Sequence, residues 1–395
     1  MNGKILSISG DVIEVQFEKS NLPSINHLLT THDNQTYLLV KSVINETNIK
    51  AIIIYAYKQI SLSDEIINTN KSFMVPVGSK AKNNIFSFTG ISLNNKKDDK
   101  QEYVEMNSTI NNKRELSTEF ELIETGIIFK GFKLGIFGGA GVGKTVLMKE
   151  IIFNVNNKYK NTSNIFIGSG ERSREGIELY DELTESNLMK NSTMFVSKMN
   201  ESPGARMSIV PIGVTAAEYL RDVKKEDVLL FIDNIYRFIQ AENEVSATLG
   251  KKPSVGGYQS TLESDVANIQ DRLFKNKNGA ITSFQTVFLP MDDLSDPSAV
   301  AVFNHLDSIL ILGFDELDAE SKILVKKALQ LENFFTQYFF MTEQFTKQKG
   351  QYVPLNETID SVIRIIEGKY IKQSPEIFSY IGSALDLKTD EELGL

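Results

Sequence analysis

The sequence contains no cysteine, so neither a disulfide framework nor a thiolate zinc site can be built. That excludes an exported, disulfide-stapled fold and fits a reducing compartment. The three histidines, His27, His32 and His305, share no metal-ligand spacing. Positive charge is not in excess either: 42 Lys and Arg stand against 51 Asp and Glu, a net charge of -9. A chain of that balance is a poor candidate for wrapping nucleic acid through a broad basic face, and no nucleic-acid partner is expected. No apolar run reaches the roughly 18 residues that mark a membrane span. Met1 leads straight into "MNGKILSISGDVIEVQF", which alternates like a strand, so no signal peptide is expected.

What is present divides along the chain. A length of 395 residues is too long for a single core, so two or three domains are expected. Up to residue 77, short runs rich in Ile, Val, Tyr and Phe ("KILSISGDVIEVQF", "TYLLVKSVI", "NIKAIIIYAY", "SFMVPVG") alternate with polar turns and suggest a small barrel or sandwich. Residues 92–118 are polar and weakly periodic and read mostly as loop. From about residue 120, near-continuous apolar runs ("KLGIF", "NIFIG", "DVLLFID", "ITSFQTVFL", "SILIL") alternate with helical stretches. Runs apolar on both faces mark a buried parallel sheet. After Leu312, "DELDAESKILVKKALQLENFFTQYFF" and "LNETIDSVIRIIEGKYI" carry i, i+3, i+4 apolar spacing and read as helices.

Glycine is concentrated at one place. Four glycines fall within six residues of "GGAGVGKT", Gly138 to Thr145, and give the spacing G-x-x-x-x-G-K-T. An apolar strand precedes the loop and a helical pattern follows it, the context of a phosphate-binding Walker A motif. Glycines allow backbone N–H groups to approach phosphate oxygens without Cβ clashes, and the helix N-terminus adds its positive end. The cradle would comprise Gly139, Ala140, Gly141, Val142, Gly143, Lys144, Thr145 and Val146, with Lys144 neutralising the β and γ phosphates and the Thr145 hydroxyl on magnesium. "DVLLFIDN" ends its apolar run at Asp233, which is either a helix cap or a Walker B carboxylate holding magnesium through water. "NIFIGSGERSREG" ends in Glu171, Arg172, Arg174 and Glu175. A carboxylate there can polarise an attacking water and an arginine can steady it or a phosphate, whereas the bland reading is a solvated charged loop. Together the motifs describe a nucleoside triphosphatase that uses in-line attack by water.

At this level of detail the chain resembles the catalytic β subunit of F-type rotary ATP synthases, through "GIFGGAGVGKTVLMKE", "GSGERSREGIELYDELTES", "MNESPGARMSIVPIGVTAAEYLRD", "DVLLFIDNIYRFIQAENEVSATLGKKPSVGGYQSTLESD" and "GAITSFQTVFLPMDDLSDPSAVAVFNHLD". The resemblance implies an N-terminal β-barrel over residues 1–77, a central α/β P-loop (RecA-like) domain with a mainly parallel sheet over 78–312 and an α-helical domain over 313–395. It implies ATP or ADP with Mg2+, bound where Lys144 and Thr145 match the Walker residues, Glu171 the water-activating glutamate, Arg172 its neighbour and Glu175 the edge of the magnesium shell. Arg237, in "DNIYRF", takes a phosphate-side role, and Phe339 and Phe345 match an aromatic pair at the adenine side. An acidic lever matches Asp315 to Ser321 and a stalk-facing loop matches Asp292 to Pro297. Implied partners are α-type subunits in an alternating hexamer, which supply an arginine in trans, and a central γ-type stalk. The complex would sit on a membrane sector, leaving this chain cytoplasmic and peripheral on the inner face of the cell membrane.

The sequence departs from the family pattern in four places. Phe288 stands where the family has a tyrosine, the stretch between "HLD" and "DEL" that stacks on adenine has no counterpart, a segment before the glycine loop is short, and the lever "DELDAES" has fewer acids. The same motifs are compatible with a ring subunit that binds nucleotide with little turnover, and with an export-type relative. By default the Phe339 and Phe345 rings would belong to a helical core and "DELD" to a solvated helix start.

Overall fold

The computed structural model describes residues 2–94, 100–106, 130–138, 147–148, 150–154, 162–171, 173–254, 256–288, 293, 295–312 and 322–394. The chain forms two compact units, one of residues 1–119, 130–142 and 161–311 and one of residues 120–129, 143–160 and 312–395.

The first unit begins with strands β1 (Asn2–Ser9), β2 (Val12–Gln16), β3 (Leu28–Thr31), β4 (Thr36–Val43), β5 (Asn48–Ala56) and β6 (Glu65–Asn68). They close into a barrel in the order β1-β2-β5-β4-β3-β6 around Ile13, Val15, Leu29, Leu38, Val40, Ile49 and Ile66. Closure leaves no free strand edge. Two sequence expectations need correction here. β7 (Met74–Val77), within "SFMVPVG", lies outside the closed barrel. It pairs antiparallel with Glu102–Glu105, inside the stretch read as loop. That strand is exposed along almost its whole length, so its composition carried no strand signal.

After β8 (Asn84–Phe86) and β9 (Glu102–Glu105) come β10 (Lys133–Gly138), β11 (Thr162–Glu171), β12 (Ser192–Lys198), β13 (Asp227–Asp233), β14 (Lys275–Asn276), β15 (Gly279–Phe288) and β16 (Ser308–Leu312). The sheet runs β16-β10-β15-β13-β11-β12-β8, with β14 pairing antiparallel to β15. Every adjacent pair from β10 through β8 is parallel. The expected continuous burial is found: the middle of β13 and all but the ends of β15 are buried. β8 and β12 join the sheet although neither stood out in the sequence, because three residues, or a run flanked by Ser, Thr and Lys, give little pattern.

Helices α1 (Ser173–Glu185), α2 (Pro203–Tyr219), α3 (Ile235–Thr248), α4 (Leu262–Gln270) and α5 (Pro297–Phe303) follow their strands. Ser202 caps α2 by accepting the Ala205 N–H at 3.2 Å, with Pro203 in the first turn where its missing N–H costs nothing. Its hydroxyl also donates to the Ile54 carbonyl at 2.7 Å, seating α2 on the barrel. Gly204 makes that approach possible, since a Cβ there would stand 2.5 Å from Ile54 Cγ2.

A π-helical turn, Leu220–Lys224, ends α2 and buries a charge pair. Arg221 binds Asp222 through two 2.7 Å hydrogen bonds and lies 4.2 Å over the Phe274 ring. Asn276 donates to Asp222 at 2.8 Å, and Arg221 also donates to the Arg272 carbonyl at 3.1 Å. The second unit contains the helical residues 150–154, a helix over Lys322–Phe335 and another over Leu355–Ile366 around Phe334, Ile365, Tyr370 and Phe378. Among the described residues no helix is long and apolar enough to cross a membrane.

Breaking the buried pair strands a charge. Asp222→Ala is expected to cost about 3–5 kcal/mol of stability, read as a lower urea midpoint at unchanged slope; a loss below about 1 kcal/mol would show that the pair is not structural.

Candidate functional site

Four parallel strands set the site. β10, β15, β13 and β11 are adjacent in that order. Registers align Gly138 with Phe288, Ile232 with Gln285 and Gly168 with Asp233. The carboxyl ends of these strands therefore share one sheet edge, where open α/β sheets bind ligands. At that edge stand Gly138, from which the glycine loop departs, the backbone of Glu171, and Asp233.

Asp233 is held by its neighbours. The Thr286 hydroxyl on β15 donates to Asp233 Oδ1 at 2.8 Å and accepts the Asn234 N–H at 2.6 Å. Asn234 turns the chain from β13 into α3 with φ 61° and ψ 69°, a left-handed conformation that asparagine tolerates. The turn sets Arg237 in the first turn of α3. Gly170, φ 64°, precedes Glu171, and a Cβ there would lie 3.2 Å from Arg237 Cδ and 3.5 Å from Arg206 Cδ. Two arginine stems thus cover the β11 tip. Arg206 is itself fixed, donating to the Glu201 carbonyl at 3.2 Å and to Glu244 at 3.3 Å. The Ser197 hydroxyl accepts the Gly170 N–H at 3.0 Å.

Residues 125–320 match the nucleotide-binding domain of the ATP synthase alpha/beta family. ATP synthase subunit beta 2 of Mycoplasmopsis pulmonis (strain UAB CTIP) is 41% identical over 453 aligned positions, covering 98% of this chain and 96% of that protein. The chain belongs to the ATP synthase alpha/beta family. Within it the chain is a β-like, nucleotide-binding F-type subunit. The aligned span exceeds the chain's own 395 residues by 58, so the β relative carries segments without counterpart here.

The sequence-derived site residues fall as follows. Asp233 and Arg237 lie together at the shared edge. Glu171 ends β11 and Glu175 lies in α1. Arg172 and the cradle, Gly139, Ala140, Gly141, Val142, Gly143, Lys144, Thr145 and Val146, lie outside the described residues, as does the lever from Asp315 to Ser321. Of the stalk-facing segment, Asp293 and Ser295 to Pro297 are described. There Asp296 caps α5 and accepts hydrogen bonds from Tyr258 Oη at 3.0 and 3.1 Å. Burial first, then hydrogen bonds involving Tyr236 and Asp296, pushes the Tyr258 phenol far above its usual value, so it remains a donor. Phe339 and Phe345 belong to the second unit. Phe345 is 73% exposed rather than packed in a helical core. Thr286, Gly170 and Arg206 escaped the sequence reading, although Arg206 lies within the family-like stretch "MNESPGARM".

The donor set suits a hard cation. Asp233 offers carboxylate oxygen, and Mg2+ is held by one or two carboxylates together with phosphate oxygens rather than by an all-protein cage.

In the second unit, Glu150 is buried on the helix that follows the glycine loop. Burial raises its pKa above 4.5, opposed by the Asn154 amide at 3.0 Å and by the backbone of Met341 and Phe340, with Glu343 adding a small push upward. The folded state then holds the proton more tightly than the unfolded state. Stability falls as pH rises from 4.5 through the folded pKa and stays lower above it. Glu150→Gln is expected to match wild type near pH 4 and to melt higher at pH 7; thermal melts across that range that never diverge would refute the sign.

Proposed function

We propose that this chain is the catalytic β-type subunit of an F-type-like rotary ATPase. It binds Mg-ATP and hydrolyses or synthesises it at an interface with an α-type subunit, driving or driven by a central γ-type stalk. The observation that carries the reading is the common sheet edge, with Gly138, the Glu171 backbone and Asp233 at the ends of parallel strands β10, β11 and β13 and Arg237 over Gly170. Lys144 and the cradle backbone of residues 139–146 bind the phosphates, and Arg237 faces them from α3. Glu171 accepts a proton from the attacking water, steadied by Arg172. Thr145, Asp233 and, at the edge of its shell, Glu175 hold Mg2+, which supplies charge neutralisation on the phosphates when bound. Phe339 and Phe345 offer the base an aromatic surface. The functional division into residues 1–77, 78–312 and 313–395 belongs to the same reading, as does a peripheral position on the cytoplasmic face of the membrane through the complex.

A second reading, a ring member with little turnover, draws support from the segments of the β relative without counterpart here and from Phe288 in the place of a tyrosine.

Single-turnover ATP hydrolysis in a ring reconstituted with the α-type and γ-type subunits separates the two. The catalytic reading expects Mg2+-dependent turnover that falls about 10²- to 10⁴-fold in Glu171→Gln, and loss of nucleotide binding in Lys144→Ala. A Glu171→Gln ring with an unchanged rate removes Glu171 from the role. The isolated chain, lacking the arginine in trans, is expected to be slower than the ring by about 10³-fold or more; fast hydrolysis by the monomer contradicts the interface.

A further inference from the structure

Thr286 is fully buried within β15. A β-branched residue suits a buried strand, and valine would fill the same volume. The hydroxyl is the feature that packing does not explain, since a buried O–H is costly unless bonded. Here it is bonded in both senses. It accepts the Asn234 N–H at 2.6 Å and donates to Asp233 Oδ1 at 2.8 Å. The order is set by chemistry, because the amide can only donate, which turns the hydroxyl proton toward the carboxylate. The strand order makes this possible, as β15 lies between β10 and β13.

We propose that Thr286 is a positioning residue that fixes the plane of the Asp233 carboxylate for Mg2+ binding. The proposal rests on the functional reading above and extends it to a residue that does not touch the nucleotide. Asp233 sits at the point where strand becomes helix, and the bond from the Thr286 hydroxyl to Oδ1 restrains its terminal torsion, which is intrinsically broad, before the metal arrives. The Asn234 N–H completes the clamp by locking Thr286 to the backbone of the residue next to the acid. Mg2+ tolerates little departure from octahedral geometry, whereas Ca2+ accepts irregular shells. A fixed carboxylate therefore favours the smaller ion.

The test compares Thr286→Val, which keeps the volume and removes the hydroxyl, with Thr286→Ser, which keeps the hydroxyl. The full chain is loaded with ADP, and Mg2+ and Ca2+ are titrated by calorimetry, alongside ADP binding without metal. Thr286→Val is expected to weaken Mg2+ binding about 10- to 100-fold, to weaken Ca2+ binding less and to leave metal-free ADP binding unchanged, while Thr286→Ser remains within about threefold of wild type. Equal Mg2+ affinity in wild type and Thr286→Val overturns the proposal, and so does a serine variant as impaired as valine. Should Thr286→Val not fold, Thr286→Ala carries the same comparison. A wild-type chain that binds no Mg-nucleotide in this assay brings down the functional reading itself, an outcome distinct from variants that match a competent wild type.

Discussion

Strands that run the same way must end on the same side. The succession of parallel pairs from β10 to β8 therefore collects the carboxyl ends of segments far apart in sequence along one line. Each strand end is where side chains escape the buried sheet and the chain turns into a loop or helix. Gly138, the Glu171 backbone and Asp233 stand along that line although they are far apart in sequence. Parallel pairing also demands burial on both faces, so the line of ends stands on a dry and rigid base. Charges placed at its rim interact more strongly than they would in bulk water.

The base is dry without being apolar throughout. Gln270 and Gln285 exchange amide hydrogen bonds at 2.6 and 3.0 Å, and Gln285 also donates to Ser283 at 3.0 Å, with all three fully buried. At the opposite end of the strands, Glu226 takes the Ser163 hydroxyl and, at 3.0 Å, the Lys82 ammonium. Nearby, Arg221 and Asp222 occupy the turn that closes α2. Such groups tolerate one register, because slipping a strand by a residue would strand a buried donor or acceptor. Polar burial beneath the edge thus fixes where each strand ends, and with it where Asp233 stands relative to Thr286.

How much of this could be read from sequence follows from the kind of signal each residue carries. Asp233 was legible because it closes an unbroken apolar run, and the glycine loop because its spacing sits between a strand pattern and a helix pattern. The barrel was visible in its short β-branched runs, although its limit was not: Met74–Val77 is as apolar as a barrel strand yet finds its partner at Glu102–Glu105. Thr286 was illegible for a different reason. Its role depends on β15 lying beside β13, and periodicity reports the face of a strand but never its neighbour. Arg206 likewise reaches the β11 tip only because α2 packs over it. Composition put the Phe345 ring by default in a helical core, and its exposure comes from the helical turn Glu343–Thr346 ending at once in the left-handed Lys347.

The same physics governs where such a chain can lose length. Removing a strand buried on both faces would open the core, whereas shortening a surface loop changes closure entropy only slightly. The missing segments coexist with a continuous sheet, as that asymmetry requires. On the proposed reading, phosphate contacts arise from strand ends protected by the core behind them, and contacts to a nucleobase come from more peripheral segments, such as the one carrying the exposed Phe345. A ring contact is worth about 0.5–1.5 kcal/mol, while charge-assisted bonds to phosphate contribute about 1.5–3 kcal/mol each. On the proposed reading, a trimmed periphery therefore gives up discrimination between bases well before it gives up hold of the triphosphate.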